Sequence, residues 1–400
     1  MENVVSNKAK GISPSPTLAI DAKFKSMKKE GIDVVGFGAG EPDFDTPQHI
    51  KEAAIKAINE GFTKYTPASG TLELKNAIVN KFKTENNLDY DASQIVVSNG
   101  AKHSLVNVFM AILNPGDEVI IPVPFWVSYP EMVKLADGKP VFVETTEEND
   151  FKFKVSDLEK VVTDKTKALI LNNPSNPTGM LYNKEELKEI ADFAVKNNIY
   201  VVSDEIYEAL VYEGEDTFLS IASFNEEIKN LTIIVNGVSK TYAMTGWRIG
   251  YTASNLDIAK AMSNIQSHAT SNPNSIAQAA TVAALNGPKD EIYKMRDAFK
   301  NRRDLMLKLI NETDLVSARK PAGAFYVMMN IKDVLGKSYN GKVINDVDEL
   351  CELLLSEVKL ALVPGKGFGA PNHVRWSYAT SEDNIREGIS RLKKFLSVLK

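Results

Sequence analysis

The chain has little with which to cross-link itself or hold a metal. A single cysteine, Cys351, stands among 400 residues. It can form no intrachain disulfide and no cysteine zinc site, which fits a reducing compartment. Within ELCELLLSEV it reads as a buried packing residue of a helix. The four histidines, His49, His103, His268 and His373, are scattered without HExxH or similar spacing, so no metal site is expected. Apolar runs are short and broken by Pro or Asp, and the opening MENVVSNKAKGISPSP has no continuous hydrophobic core. Neither a signal peptide nor a transmembrane helix is expected, and the location is read as cytoplasmic. Excess positive charge is missing too. The 47 basic and 52 acidic side chains give a net charge of -5 and are spread along the whole chain, so neither a nucleic-acid nor a membrane partner is indicated. Repeats and low-complexity tracts are absent.

What is present is an ordinary globular composition, 44% hydrophobic and 25% charged, with length enough for two domains. From about residue 94 to 260, short β-branched runs alternate with amphipathic stretches. The runs are Gln94–Ser98, Asp117–Ile121, Pro140–Glu144, Lys167–Asn172, Ile199–Ser203, Leu231–Asn236 and Ile249–Ala253. Helices are predicted between them, as at Ala101–Leu113 and Lys184–Asn197. Such alternation predicts an α/β unit around a largely parallel sheet. After about residue 290 come a long charged helix, a strand-like AFYVMMNI, a helix around ELCELLLSEV and a closing helix. These suggest a smaller α+β unit, against which the Gly-, Ser- and Pro-rich first 45 residues would pack.

Several segments carry chemistry. In NGVSKTYAMTGWRIGY a lysine, Lys240, sits at a strand exit with Arg248 eight positions on; a lone lysine there is ordinarily a solvated charge. SDEIY places Asp204 just past an apolar strand, where a carboxylate caps a helix or faces a cationic group. NNPSNPTG is a strand running into a proline turn, with Asn176–Pro177 a candidate cis bond. IVVSNGAKHSLVNVF is a strand, a small-residue turn and a helix, and the unpaired amides of a helix start make an anion site. HVRWSYAT puts Arg375 inside a strand. Either it lies solvated on an edge, or it is buried at a cost that demands a partner.

Together these segments resemble the class I aminotransferases, enzymes of fold type I that depend on pyridoxal 5'-phosphate. The resemblance runs in family order along essentially the whole chain, from SPSPTLAI through GAGEPDFDTP to RWSYAT, and is nearest to the bacterial and archaeal aspartate aminotransferase branch, subgroup Ib. It implies a large domain with a mostly parallel seven-stranded sheet (residues 46–290) and a small α+β domain from both termini (1–45 and 291–400). It implies that Lys240 carries pyridoxal phosphate as a Schiff base and shuttles the substrate proton. Asp204 would face the ring nitrogen, Tyr207 and Asn176 the phenolic oxygen, and Trp126 the ring face. Arg248 and the amides of Ala101 and Lys102 would hold the phosphate. Tyr65 would reach the phosphate of a neighbouring subunit, which implies a homodimer. Ser239 is a further phosphate candidate, although the family often places its serine three positions before the lysine, where this chain has Gly237. Arg375 would bind the substrate's α-carboxylate, with Gly40 close by on a closing loop. Lys102, Ser15 and Thr17 match positions that take a distal carboxylate, so aspartate and 2-oxoglutarate are the expected substrates, used in a ping-pong cycle. Prephenate, aromatic and alanine-type aminotransferases, a β-eliminating lyase, and a cofactor-binding regulator without turnover remain as alternatives.

Overall fold

The computed structural model describes residues 4–14, 16–212 and 218–400, and for residues 16–19 and 21 the backbone alone. Ser15 and the side chain of Thr17, two of the candidate hydroxyls, therefore lie outside the described residues. Seven strands form one sheet: β1 (Ile95–Ser98), β2 (Glu118–Val123), β3 (Lys139–Glu144), β4 (Thr166–Asn172), β5 (Tyr200–Asp204), β6 (Thr232–Gly237) and β7 (Gly250–Ala253). Their order across the sheet is β1-β7-β6-β5-β4-β2-β3. All neighbours are parallel except β7, which runs against both β1 and β6. The β-branched runs explain the covered strands: the interior TIIVNG and GYTA, and IVVS at one edge, are buried on both faces, as a helix-covered sheet requires. The opposite edge strand, β3, KPVFVE, exposes Lys139, Phe142 and Glu144, and its Lys and Pro suit an edge that must not recruit another strand.

Strand direction decides where chemistry can gather. Parallel β4, β5 and β6 end side by side, with Asn172 opposite Asp204 and Asp204 opposite Val235. Because β7 is antiparallel, its first residue, Gly250, pairs with the last residue of β6, Gly237. Arg248, two residues earlier, is thereby delivered to the same end as Lys240. The helix Ala101–Ile112 begins there too, directly after β1. The approach is close enough that side chains are excluded: a Cβ on Gly250 would lie 2.2 Å from the Ala101 amide nitrogen, and one on Gly237 would lie 2.9 Å from the Ile249 carbonyl oxygen. Gly237, where the family often has serine, thus has a packing reason of its own.

The C-terminal part is a four-stranded antiparallel sheet of Ser317–Ala318, Tyr326–Asn330, His373–Ser377 and Val363–Pro364. The helices Asp290–Asn311, Val347–Val358 and Glu382–Leu396 pack with it around Phe299, Phe325 and Trp376. The N-terminal stretch joins this unit. Val35–Gly36 pairs in parallel with Leu360–Ala361, and Phe37 packs on Trp376 with ring centroids 4.6 Å apart. Cys351 is buried in its helix. No helix among the described residues is long and apolar enough to cross a membrane.

The Gly250 contact yields a stability prediction. Gly250→Ala must push β7 from the Ala101 helix, with an overpacking cost of about 1–3 kcal/mol. Urea unfolding of the variant should show an earlier midpoint with an unchanged slope.

Candidate active site

At the C-terminal ends of the parallel strands lies a cavity of roughly 340 Å³, within the usual size for a small-molecule site and in the usual place for an open α/β sheet. Lys240, Ser239, Arg248, Asp204, Tyr207, Asn176, Ala101, Lys102, Trp126, Gly40 and Arg375 all line it. Segments separated by more than three hundred residues are brought to one wall. Tyr65 is not among them; it is 90% exposed and stands outside the cavity of its own chain.

Lys240 projects from the turn that follows β6. Its ammonium donates to the Gly40 carbonyl and lies 5.8 Å from the centre of the Phe325 ring. Burial, opposed by Glu41 and assisted by Arg248 and Arg375, pulls its pKa down to about 8. A sizeable fraction of the amine is therefore unprotonated just above neutrality, which a nucleophile or proton carrier needs.

Asp204 ends β5 and is 4% exposed. Burial raises its pKa to about 6, against the opposing hydrogen bond from the Tyr129 hydroxyl at 2.7 Å. The Ile206 amide also donates to it. The geometry is that of a carboxylate held ready for a cation. Asn172, at the end of β4, donates from its side chain to the Asp204 carbonyl at 3.0 Å and accepts from the Asn176 amide at 2.7 Å. The two strand ends and the proline turn are thereby tied together. Asn176–Pro177 is cis, as are Asn173–Pro174 and Val123–Pro124.

At the other side, the helix Ala101–Ile112 starts at Gly100, which has φ 88° and no capping side chain. The Arg248 guanidinium lies directly over Gly100, so that a Cβ there would meet Nη2 at 2.2 Å. Arg248 itself holds a left-handed φ of 59°, and its guanidinium donates to the Thr245 and Asn99 carbonyls, at 2.8 and 3.4 Å. Uncapped helix amides beside an arginine form an anion site. Lys102 sits on the same turn with its ammonium 4.9 Å from the centre of the Trp126 ring; burial and Arg248 both lower its pKa.

Arg375 occupies an interior strand, paired with Met328 on one side and Val363 on the other, so it is not a solvated edge residue. It is 3% exposed. Its guanidinium donates to Asn176 Oδ1 and the Gly38 carbonyl, each at 3.1 Å, and lies 4.5 Å and 4.9 Å from the Tyr326 and Phe368 ring centres. No carboxylate pairs with it among the described residues, and its Nε has no partner at all. A buried, uncompensated guanidinium at a cavity wall is a receptor for an anion.

The cavity thus presents two separate places for anions, a buried carboxylate for a cation, and an amine of lowered basicity. A single ring bearing a phosphate and a basic nitrogen would satisfy the first anion place and Asp204 together, leaving Arg375 for a second molecule. Three participants escaped notice in the sequence. Tyr129 falls three residues after Trp126, and Tyr326 lies in the apolar AFYVMMNI, where a tyrosine reads as core. Glu41, which accepts from Thr245 Oγ1 at 2.8 Å, looks like one more loop charge.

Comparison with known proteins agrees with this arrangement. The family model for aminotransferase class I and II matches residues 32–392. An aspartate aminotransferase of Bacillus subtilis (strain 168) is 52% identical over 392 residues, covering 98% of each chain. A probable aspartate/prephenate aminotransferase of Rickettsia bellii (strain RML369-C) is 49% identical over 98% of each. Among solved structures, the aspartate aminotransferase from Rhizobium meliloti superposes with a TM-score of 0.96 at 43% identity, covering the whole of both chains. With family motifs, cavity and fold in agreement from one end of the chain to the other, the protein belongs to the class I and II aminotransferases.

Proposed function

We propose that this aminotransferase is an aspartate aminotransferase, moving the amino group of L-aspartate to 2-oxoglutarate in two half-reactions, with oxaloacetate and L-glutamate as products, and that it uses pyridoxal 5'-phosphate. The observation that carries the reading is the pair of cations left for a substrate with two carboxylates: Arg375, buried without a counter-ion, and Lys102 across the cavity. The names of the relatives support it. Those that couple aspartate with prephenate favour prephenate as a second substrate of the same cavity.

The residues fit the cofactor. The amides of Ala101 and Lys102 with Arg248 would hold its phosphate, Ser239 adding a hydroxyl. Asp204 would hold the ring nitrogen protonated, Tyr207 and Asn176 would bond the phenolic oxygen, and Trp126 would cover the ring. When bound, the cofactor supplies an electron sink for the carbanion formed at the substrate's Cα. Lys240 would hold the cofactor, and its Nζ, freed when substrate takes its place, would take the proton from that Cα. Arg375 fixes the α-carboxylate with its planar fork, which Asn176 and the Gly38 carbonyl keep in plane. Gly40, whose carbonyl accepts from Lys240, lets the loop approach the substrate. Lys102 engages the distal carboxylate, with Ser15 and Thr17 as further donors.

We also assign residues 46–290 to a large cofactor domain and 1–45 with 291–400 to a small one. Support comes from the Val35–Gly36 pairing with Leu360–Ala361 and from a separate core around Phe299 and Trp376. A homodimer in which Tyr65 serves the neighbouring site is supported by its 90% exposure amid other exposed apolar residues, Ile55, Ile58, Phe62 and Leu72.

Four outcomes test the reading. Lys240→Ala should abolish transamination in a panel of aspartate, glutamate, prephenate, alanine and tyrosine; normal turnover would sink it, whereas release of ammonia with pyruvate by the unaltered enzyme would replace it with elimination. Arg375→Lys should lower kcat/KM for every substrate by about tenfold or more, since an ammonium cannot reproduce the two-pronged contact. Lys102→Ala should cost aspartate about tenfold more than alanine in kcat/KM; an equal loss for both would remove the role of Lys102 in selecting a second carboxylate. Uptake of pyridoxal phosphate by the cofactor-free protein requires the unprotonated Lys240 amine, whose pKa is lowered to about 8. Its rate should therefore climb as pH rises through 8 and level off above, as stopped-flow absorbance would follow.

A further inference from the structure

Tyr326 belongs to the strand next to that of Arg375, yet its hydroxyl reaches the cavity wall on the Tyr207 side. The two phenol oxygens are 3.1 Å apart and buried, with their rings edge to face at 5.9 Å. The face of the Tyr326 ring supports the Arg375 guanidinium at 4.5 Å. Tyr326 also lines the cavity, and a Cβ on Gly40 would come within 3.2 Å of its hydroxyl. One side chain therefore touches the carboxylate receptor, the glycine loop and the tyrosine assigned to the cofactor's phenolic oxygen.

A tyrosine hydroxyl has one proton to donate and lone pairs to accept. If Tyr207 gives its proton to the cofactor's phenolic oxygen, its own oxygen is left to accept. Tyr326 Oη is the hydroxyl at hand. Accepting that bond makes Tyr207 a stronger donor, because hydrogen bonds in a chain polarise one another where the dielectric is low. Burial pushes both phenol pKa values up, and Arg375, the cation against the Tyr326 ring, opposes that rise at both.

We propose that Tyr326 is a positioning residue for the transamination chemistry, fixing Tyr207 as a hydrogen-bond donor to the cofactor through the contact between their hydroxyls. The inference rests on the proposed cofactor and on the role assigned to Tyr207. Without Tyr326, Tyr207 would donate less strongly, the phenolic oxygen would become more basic, and the proton shared near it would be held to higher pH.

The test is a pH titration of the visible absorbance of the holoenzyme. Tyr326→Phe keeps the ring under Arg375 and removes only the hydroxyl. The midpoint should move up by about half a pH unit, the size expected for one neutral hydrogen bond, and kcat should fall while KM for aspartate stays within about twofold, since the carboxylate contact is spared. Tyr207→Phe should shift the midpoint further in the same direction. Adding Tyr326→Phe to that variant should then change nothing, because the effect travels through the missing hydroxyl. A midpoint unmoved in Tyr326→Phe, or a shift of equal size with and without the Tyr207 hydroxyl, would overturn the inference while leaving the cofactor reading intact. A wild-type protein that acquires no visible chromophore with pyridoxal phosphate would overturn that reading itself.

Discussion

The interaction on which the site depends is one the protein does not complete by itself. Arg375 is buried in an interior strand with two neutral oxygens, two aromatic faces and, among the described residues, no carboxylate. Burying a guanidinium this way is costly unless something repays it. The fold spends three elements on holding it: the proline turn supplies Asn176, the N-terminal loop supplies Gly38, and the strand beside it supplies Tyr326. All three line the cavity wall beside Arg375.

The same strain recurs at smaller scale. Asp204 is raised to about 6 by burial, even with Tyr129 donating to it and the Lys240 charge opposing the rise. Arg248 lies over an uncapped helix start, a positive corner suited to an anion. Lys240 is lowered to about 8. Read as a set, these groups suit a phosphate, a basic ring nitrogen and a carboxylate, the charges of the proposed cofactor and substrate. Electrostatic preorganisation of this sort is costly to the folded chain and useful to the reaction.

Much of the architecture was legible beforehand because its signals are local. The seven β-branched runs became seven strands with ends shifted by one or two residues, since apolar β-branched segments between helical periods leave the chain few alternatives. Lys184–Asn197 begins at an Asn183 capping box and ends at left-handed Asn198, both written in adjacent residues. What could not be read was the antiparallel placement of β7, which brings Arg248 beside Gly100 and gives Gly237 a packing role. That depends on contacts between residues 100 and 250, about which neither segment carries information. Tyr129 and Tyr326 were hidden for the related reason that a phenol in an apolar run has the same letter whether its hydroxyl is idle or bonded.

By itself the sequence determined the family, the order of the elements and the identity of the reactive side chains, because helix and strand periods and motif composition are properties of neighbours along the chain. Only the tertiary structure decided the state of those side chains. That Lys240 is less basic than a free lysine, that Arg375 has no counter-ion among the described residues, and that Tyr326 stands between Arg375 and Tyr207 all follow from burial and from approaches between distant segments, and desolvation exists only once the chain has closed around the charge.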